Sequence, residues 1–509
     1  MHPLTRRPLS TPTSLGVAVL AGLMIGLGYA PIGWWPITIA GVGLFTWLMS
    51  GMGWKRSAVL GLVAGVSLNA LMISWISVLG AFVAIALVAF MSLWMGVLGM
   101  FTASLTRLGA WPFLVPAAWV GVELAMGTVP FGGFPWLRLA FTALDQPLSG
   151  WFSIIGAVGV SYLVALAACG LTLAATRIRG RGWIAPVTGT VAFFVAGGLL
   201  QLVPVATPEQ TVTVGMVQGG VNRAEHGTAS YASSVTNNML SETVFLVAEA
   251  RVENQPAFDF VVWPENSTDV DPINDARTKG LIETAASLVQ APIFVGAVTD
   301  GPLPDTRQTT GMWWDPVTGP GDTYEKRNLV PFGEWIPFRE VLLPRVPILE
   351  QVGRQSIPGT GPGVVAAPTE RYQHLVVGDV ICFELAWDAT VYDTVRAGAD
   401  LLVSQSNTNT YIGTFESPQQ LAINRVRAME LGREFVASTL NGQSGLIDVH
   451  GTVHEPTREF TAASRTYSLG LRYNTNLPVR LGAWPSYVLS LTAVAGMVYA
   501  TARRRSETR

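Results

Sequence analysis

The chain has 509 residues, of which 50% are hydrophobic and only 13% are charged, and its mean hydropathy is +0.39. This composition excludes a protein that is soluble throughout and predicts that part of the chain lies in a membrane. The 32 Lys and Arg residues nearly balance the 34 Asp and Glu residues, so nucleic acid is not an expected partner. The two cysteines, Cys169 and Cys382, favour neither a disulfide framework nor a thiolate zinc site, and we expect no metal and no other cofactor.

The first 205 residues alternate long apolar segments with short connections. Each segment is close to the roughly 20 residues that a helix needs to cross about 30 Å of hydrocarbon, so we predict a bundle of seven membrane spans. A secretory signal peptide at the first segment is the weaker interpretation, because no clear small-residue cleavage site follows it. The predicted spans are residues 14–30, 35–52, 57–79, 82–106, 110–126, 151–176 and 183–203.

Positive charges give the predicted bundle an orientation. Lys and Arg fall in every second connection, whereas the alternate short connections hold only Arg138. Cytoplasmic connections carry the excess of positive charge, so the basic connections are predicted to be cytoplasmic. A last apolar segment, residues 484–502, returns the chain to that side and gives eight spans with both termini in the cytoplasm. The basic residues are Arg6, Arg7, Lys55, Arg56, Arg107, Arg177, Arg179, Arg181, Arg503, Arg504 and Arg505.

Between residues 206 and 480 the composition is that of a globular domain, and the charge pattern predicts that this domain is extracytoplasmic. Short apolar runs that predict strands alternate with helical patterns, which favours an α/β layered domain. The predicted strands are residues 211–217, 258–263, 293–297, 311–314, 374–383, 401–404, 435–440 and 445–449, and the predicted helices are residues 231–252, 275–289, 387–397 and 416–432.

Three reactive side chains stand at or just beyond the ends of predicted strands. Glu265 directly follows Pro264, which stops its strand, and Cys382 stands near the end of the apolar run at residues 374–383. Lys326 lies in a loop between them. Each has a plain structural explanation when taken singly. Glu265 fits a solvated turn residue, Lys326 a solvated loop residue, and Cys382 a small apolar core residue.

The surroundings of these three residues form a recognisable set of motifs. Trp-Pro-Glu at residues 263–265, Lys326 shortly before Leu-Val-Pro-Phe-Gly-Glu at residues 329–334, and Ile-Cys-Phe-Glu at residues 381–384 follow one another in that order. The set resembles the Glu-Lys-Cys constellation of the nitrilase superfamily. With membrane spans on both sides, and with Gly-Gly-Phe-Pro-Trp-Leu at residues 132–137, the chain resembles the apolipoprotein N-acyltransferase family along nearly its whole length.

This resemblance implies a domain organisation. A nitrilase-like αββα sandwich, residues 206–480, would be inserted between membrane helices, with the seven-span bundle of residues 1–205 before it. A final membrane helix and a basic cytoplasmic tail, residues 481–509, would follow. The resemblance also implies a location in the bacterial cytoplasmic, or inner, membrane with the catalytic domain in the periplasm.

The roles expected of the residues follow from what acyl transfer needs. Cys382 is the expected nucleophile, and Glu265 is the expected general base that takes the thiol proton. Lys326 is the expected cation that stabilises the oxyanion of the tetrahedral intermediate. By the pattern of the family, Glu334 and Glu384 are expected to be supporting carboxylates that hold Lys326 and order the pocket. Solvated loop acids are the alternative for both.

The reaction that the resemblance implies is a two-step exchange between lipids. Cys382 would accept a fatty acyl chain from a phospholipid as a thioester, and the α-amino group of a diacylglyceryl-cysteine lipoprotein would then take it as an amide. The expected partners are these two substrates and the bilayer, and the protein is expected to be a monomer. The apolar loop of residues 335–344 predicts a membrane-facing arm, with a core-packing loop as the alternative. The predicted lipid-contact residues are Trp335, Phe338, Leu342, Leu343 and Phe383.

Two other functions remain open on the sequence alone. One is a membrane-tethered amidase of the nitrilase class that uses water as the second acceptor, and the other is a lipoprotein-binding module without catalysis. Two departures from the family pattern bear on substrate fit. The chain reads Asn-Thr-Asn-Thr-Tyr at residues 407–411, where the family usually has Asn-Asp-Ala-Trp-Phe, and the tryptophan that often follows Gln218 is absent.

Overall fold

The computed structural model describes residues 9–221, 229–268 and 270–507. Arg6 and Arg7, which contribute to the predicted orientation, lie outside these ranges, as does much of the segment after Gln218 in which the family's tryptophan is absent. The chain forms two compact units. The first contains the chain up to Pro204, residues Thr414–Ala422 and the chain from Arg480 onward, and the second contains Val205–Gly413 and Ile423–Val479.

The first unit consists mainly of apolar helices. Those before residue 205 are α1 (Thr11–Gly26), α2 (Trp35–Met49), α3 (Trp54–Met72), α4 (Ala81–Leu105), α5 (Trp111–Met126), α6 (Phe152–Thr176) and α7 (Ile184–Gln201), and the C-terminal helix is Trp484–Glu507. Each of the eight predicted spans coincides with one of these helices. Four helical segments, Ala81–Leu105, Pro147–Thr176, Arg181–Gln201 and Trp484–Ser506, are long and apolar enough to cross a membrane, and three further apolar helices are shorter. Eight membrane crossings therefore stay a prediction.

Buried polar contacts hold the loop that carries the Gly-Phe-Pro-Trp motif. Arg138 is buried, and its Nε lies 3.7 Å from Glu123 Oε2, while Glu123 Oε1 accepts a hydrogen bond of 2.8 Å from the Leu139 N–H. The indole N–H groups of Trp136 and Trp75 both donate to Gln419 Oε1, at 2.7 and 3.0 Å. Since the two indoles share one amide oxygen, Gln419 fixes the end of this loop inside the first unit.

The second unit contains two β-sheets and several helices. Its strands are β1 (Thr211–Gln218), β2 (Phe260–Val262), β3 (Ile293–Asp300), β4 (Thr306–Asp315), β5 (Gly319–Glu325), β6 (Gln355–Ser356), β7 (Val364–Ala366), β8 (Val376–Asp379), β9 (Leu401–Ser406), β10 (Phe435–Thr439), β11 (Gly445–Ile447), β12 (Val453–His454) and β13 (Ala463–Gly470). The helices from residue 229 to residue 481 are α8 (Ala229–Val252), α9 (Ala276–Val289), α10 (Arg339–Leu342), α11 (Asp388–Arg396), α12 (Glu416–Leu431) and α13 (Leu477–Leu481).

The two sheets repeat one pattern of strand pairing. The first sheet has the order β13-β1-β2-β3-β4-β5, with β6 paired to β4, and the second has the order β12-β11-β10-β9-β8-β7. The neighbours β1, β2 and β3 are parallel to one another, as are β8, β9 and β10, and all other neighbours along these orders are antiparallel. The carboxyl ends of the parallel strands therefore lie together at one edge of each sheet, where the loops after β2 and β8 begin.

Apolar side chains form two cores. One fills the space between the two sheets, and the other covers the outer face of the first sheet. The core between the sheets includes Val214, Phe260, Phe294, Trp313, Val377, Val403 and Val436. A second core packs α8 and α9 onto the opposite face of the first sheet and includes Val235, Met239, Ile282, Val261, Ile293 and Trp314. On the outer face of the second sheet, Thr394 of α11 and Ala399 pack against Gly378 of β8. The α/β layered fold predicted from the sequence is therefore confirmed.

The strand that leads to Cys382 is shorter than predicted. The sequence predicts one strand over residues 374–383, whereas β8 ends at Asp379 and residues Cys382–Ala386 form a 3-10 turn. The last ladder bond is the one from the Val380 N–H to the Val403 carbonyl, at 2.9 Å. The next N–H, that of Ile381, donates to Glu384 Oε2 at 3.0 Å, and this side-chain contact takes the backbone out of the sheet.

One glycine of β3 allows the turn at Glu265 to pack against the sheet. A Cβ atom at Gly296 would lie 2.3 Å from the Pro264 carbonyl oxygen and 2.7 Å from Glu265 Cα, and neither backbone atom can rotate away. We expect Gly296→Ala to destabilise the protein by about 1–3 kcal/mol, as overpacking does elsewhere, and to lower its melting temperature in detergent.

Gly280→Ala is the matched control, because no atom lies within 4 Å of a Cβ at this position in α9. Alanine there should leave the melting temperature equal or slightly higher, since it is favoured over glycine within a helix by roughly 0.5–1 kcal/mol. Equal melting temperatures for Gly296→Ala and the unmodified protein would show that the turn does not depend on this close approach.

Candidate active site

Glu265, Lys326 and Cys382 each follow a different strand of the second unit. Glu265 comes three residues after β2, Lys326 directly follows β5, and Cys382 comes three residues after β8. Glu265 and Lys326 are almost fully buried, and Cys382 is half-buried. Residues that are 61 and 56 positions apart in the chain are thus brought to one place, because the ends of these strands meet above the core between the sheets.

The ammonium group of Lys326 is the centre of this cluster. Its Nζ lies 2.9 Å from Glu265 Oε1 and 3.1 Å from Glu334 Oε1, and only 2% of the side chain is exposed. Burial by itself lowers the pKa of Lys326, but the carboxylates of Glu265 and Glu334 outweigh it and hold this pKa well above its usual value. Lys326 is therefore a fixed positive charge at any working pH.

The carboxylate of Glu265 is held at both oxygens. Oε1 accepts from Lys326, and Oε2 accepts a hydrogen bond of 2.8 Å from the backbone N–H of Asn407. Burial raises the pKa of Glu265, because the attraction of Lys326 does not fully offset the lost solvation and Glu334 adds a like charge. A carboxylate whose pKa is raised in this way is better suited to take a proton than a solvated one.

The segment of residues 407–411 contacts this carboxylate through Asn407. Asparagine also begins the usual family pattern, so the departures fall at residues 408–411, and the group that binds Glu265 is a backbone N–H, which every residue except proline supplies. The sequence could not reveal this contact, because it depends on main-chain geometry and not on the identity of a side chain.

Cys382 sits at a strained point of the backbone. Its φ is +54°, in the left-handed region that non-glycine residues seldom adopt, and the 3-10 turn starts at this residue. Such a conformation places the thiol at a sharp corner between β8 and the turn. Interaction with Cys382 is among the causes that raise the pKa of Lys326, so the two side chains interact electrostatically.

Glu384 joins the Cys382 turn to the segment around Lys326. The Glu384 side chain is fully buried, and its Oε1 accepts from the backbone N–H groups of Arg327 at 2.7 Å and Asn328 at 2.9 Å. The hydroxyl of Tyr324 donates to the same carboxylate at 2.9 Å. Glu334 contacts the ammonium of Lys326 directly, whereas Glu384 binds the backbone N–H groups that follow Lys326. Neither is a solvated loop acid.

Arg427 supports the far end of the Cys382 turn, and sequence motifs alone give it no such role. Its guanidinium is fully buried and donates to the carbonyls of Leu385 at 2.7 Å and Ala386 at 3.1 Å. Ion pairs with Asp388 and Glu430 balance its charge. Burial lowers the pKa of Arg427, but these acids reverse the effect and raise it overall. The turn is thus held from both sides.

The predicted lipid-contact residues lie in different environments. Phe338 is 71% exposed and precedes α10, while Trp335, Leu342 and Leu343 are half-buried. Phe383 is buried, and its ring packs edge-to-face on that of Trp387 with 4.5 Å between the ring centres. The exposed apolar surface therefore belongs to the segment around Phe338, and Phe383 is mainly a packing residue of the Cys382 turn.

Comparison with known proteins identifies relatives along nearly the whole chain. A sequence model of the apolipoprotein N-acyltransferase N-terminal domain matches residues 21–170. The apolipoprotein N-acyltransferase of Mycolicibacterium smegmatis is 31% identical, over 96% of this chain and 85% of the relative. That of Vibrio parahaemolyticus is 26% identical, over 95% of each chain.

Solved structures of nitrilase-superfamily proteins also resemble the chain. Nit3 of Saccharomyces cerevisiae is 16% identical and covers 52% of this chain and 92% of its own, with a TM-score of 0.38. An amidase of Nesterenkonia sp. AN1 is 12% identical and covers 51% of this chain and 93% of its own, with a TM-score of 0.37. The relative from Mycolicibacterium smegmatis matches nearly the whole chain, in agreement with the resemblance seen in the motifs, and the chain belongs to the apolipoprotein N-acyltransferase family.

Proposed function

We propose that this protein transfers a fatty acyl chain from a phospholipid, through a thioester on Cys382, to the α-amino group of a diacylglyceryl-cysteine lipoprotein. The observation that carries the proposal is the buried ammonium of Lys326, bonded to Glu265 and Glu334 and in electrostatic interaction with Cys382. In a chain of the apolipoprotein N-acyltransferase family, Glu265, Lys326 and Cys382 would supply a base, an oxyanion partner and a thiol.

The first half of the reaction acylates the enzyme. Glu265 accepts the thiol proton as the Cys382 sulfur attacks the ester carbonyl of the phospholipid. The carbonyl oxygen becomes an oxyanion, and the ammonium of Lys326 stabilises it. When the intermediate collapses, the C–O bond breaks and the alkoxide leaving group takes the proton from Glu265. The lysophospholipid leaves, and the acyl chain stays on the Cys382 sulfur as a thioester.

The second half returns the enzyme to its starting state. The α-amine of the lipoprotein attacks the thioester carbonyl, and Lys326 again stabilises the oxyanion. Glu265 takes a proton from the amine, and the C–S bond breaks. The Cys382 thiolate then takes this proton from Glu265. A thioester is converted into an amide, which is downhill, so the cycle needs no ATP.

The supporting residues have distinct proposed roles. Glu334 shares the ammonium of Lys326, and Glu384 fixes the backbone on both sides of the site. The segment containing Trp335, Phe338, Leu342 and Leu343 would contact the acyl chains, which the exposure of Phe338 supports. Phe383 would contribute to the wall of the pocket beside Cys382.

The proposed cellular arrangement follows the charge pattern and the apolar helices. Residues 1–205 and 481–509 would supply eight membrane spans, and residues 206–480 would form the catalytic domain on the outer side of the bacterial cytoplasmic membrane. The arrangement places the site where phospholipid and lipoprotein substrates are both held. The protein would act as a monomer without a cofactor.

Acylation of Cys382 is testable by mass. Incubation with phospholipid should add the mass of one acyl chain to the intact protein, and Cys382→Ser should abolish this gain at neutral pH. Cys169→Ala is the control. Cys169 is buried within α6, so this variant should show the same gain of acyl mass as the unmodified protein. A diacylated lipopeptide should then remove the added mass and become an amide. Free fatty acid without amide would favour the amidase, and no acyl-enzyme at all would favour the binding module.

The role of Glu265 predicts a particular pH dependence. The general base must be ionised, and its pKa is raised, so acylation should increase with pH over a range above that of an ordinary Glu, about 4.3. Glu265→Gln should slow single-turnover acylation by roughly 10²–10⁴-fold. Glu283→Gln, on the exposed face of α9, should keep the rate and the profile. Unchanged acylation by Glu265→Gln would remove this residue from the mechanism.

The proposed orientation can be read from thiol labelling. In a Cys382→Ser background, Val317→Cys would place a thiol on the exposed turn between β4 and β5, and Ile178→Cys would place one in the basic connection after α6. A membrane-impermeant maleimide should label the first in cells with a permeabilised outer membrane. It should label the second only after the cytoplasmic membrane is broken. The reverse result would invert the orientation.

A further inference from the structure

Asp379 is a buried acid for which the proposed mechanism has no use. It ends β8, three residues before Cys382, and its side chain is fully buried. Val377 and Ile381 on either side of it belong to the core between the sheets, so the alternation of a strand directs Asp379 into that core as well. The nucleophile's own strand therefore carries a carboxyl group into the apolar layer beneath the site.

The opposite sheet makes room for this carboxyl group. A Cβ atom at Gly311 of β4 would lie 2.1 Å from Asp379 Oδ2, and any larger side chain there would displace the acid. Both oxygens of Asp379 are buried, and neither has a hydrogen-bond partner with good geometry among the described residues, although the nearby backbone N–H of Val380 lowers the pKa of this carboxyl group. A buried polar group without a partner is costly, so its presence calls for an explanation.

The charges around Asp379 determine its protonation state. Glu265, Glu384 and Tyr324 interact electrostatically with Asp379, as does the cation Lys326, whose ammonium is already bonded to Glu265 and Glu334. Burial raises the pKa of Asp379 well above its usual value, and the carboxylates of Glu384 and Glu265 raise it further. An ionised Asp379 would add another negative charge to an apolar layer, whereas the neutral acid adds none.

Gln405 supplies an acceptor that matches a neutral acid. Asp379 is in register with Val403 of β9, so Gln405 lies two residues further along the adjacent strand and on the same face. Its NH₂ group donates to the carbonyls of Trp263 at 2.7 Å and Phe294 at 3.2 Å, which fixes the orientation of the amide. The buried Oε1 has no donor among the described residues. The acid proton is the kind of donor that this oxygen needs.

We propose that Asp379 is a positioning residue: it stays a neutral carboxylic acid, and its proton, directly or through one water, satisfies Gln405 Oε1. Gln405 in turn holds the Trp263 carbonyl two residues before Glu265, so the pair fixes the turn that carries the general base. The role rests on the proposed acyl transfer, because its effect on rate acts through Glu265. Loss of the proton at alkaline pH would remove the donor and loosen the turn.

Two variants of similar size test the donor. Asp379→Asn keeps a donor and cannot ionise, whereas Asp379→Leu removes the donor. At neutral pH, single-turnover acylation of Cys382 should stay within about threefold for Asp379→Asn and fall roughly tenfold or more for Asp379→Leu, as expected when a buried acceptor loses its partner. The wild-type rate should fall as pH rises through the pKa of Asp379, and Asp379→Asn should lack this fall. Equal losses in both variants, or an unchanged alkaline limb in Asp379→Asn, would overturn the proposal.

A spectroscopic readout makes the result independent of catalysis. The infrared difference between the wild type and Asp379→Asn at neutral pH should contain the carbonyl band of a protonated carboxyl group. A carboxylate band in its place would refute the proposal even if Asp379→Leu does not fold. If wild-type Cys382 gains no acyl mass, the proposed function fails, and the infrared spectrum still decides the state of Asp379.

Thermal unfolding gives a second check with a defined sign. A raised pKa in the folded state means that the unfolded chain loses this proton first, from about pH 4, so folded stability falls as pH rises toward the folded-state pKa. Asp379→Asn has no proton to lose. Its melting temperature should therefore exceed that of the wild type at neutral pH, and the two should converge below pH 4. A lower melting temperature for Asp379→Asn than for the wild type at neutral pH would contradict a raised pKa of Asp379 in the folded protein.

Discussion

The sharing of one buried ammonium by two carboxylates is the interaction on which the catalytic unit depends. Lys326 has almost no contact with solvent, so its charge is tolerable only because Glu265 and Glu334 are within 2.9 and 3.1 Å. Removal of one member of a buried ion pair typically costs about 3–5 kcal/mol, because the remaining charge is left without compensation. The same attraction that stabilises the fold therefore sets the positions of the Glu265 carboxylate and the Lys326 ammonium.

Other contacts of the site hold the Cys382 turn and the segment around Lys326 in place. Glu384 accepts N–H groups from Arg327 and Asn328 on one side and from Ile381 on the other, so one carboxylate joins the ends of β5 and β8. Arg427 holds the carbonyls at the end of the Cys382 turn. Because these contacts come from both sheets and a helix, the geometry of the site is a property of the folded unit as a whole. This is the kind of support that a preorganised site requires.

Features with a local signal in the sequence could be predicted, and those that depend on distant contacts could not. Apolar runs identified all eight long helices of the first unit and the central strands of both sheets, since their hydrophobic patterns are continuous. Glu265, Lys326 and Cys382 were recognisable because each lies in a short motif at a strand end. The strand before Cys382 was predicted too long, because an apolar run does not show that the side chain of Glu384 removes the Ile381 N–H from the ladder.

Other features left no such signal. β5 is polar and rich in glycine, and neither β5 nor β13 has a clear apolar alternation. The partner of β13 is β1, which is more than half the length of the unit away in the chain. Gln419 binds Trp75 and Trp136, which are 344 and 283 residues away. The buried state of Asp379 depends on Gly311 in the opposite sheet. Contacts of this kind are set by packing and have no periodicity in the chain.

The hydrogen bond from the Asn407 backbone to Glu265 has a consequence for the neighbouring segment. Because a backbone N–H holds the Glu265 carboxylate, a change of side chain at residues 408–411 need not remove this contact. At residues 408–411 the chain departs from the usual family pattern, and the cluster of Glu265, Lys326 and Glu334 is nevertheless formed. Libraries of substitutions at these four positions would therefore change the surface of the segment without directly removing a member of the charge cluster.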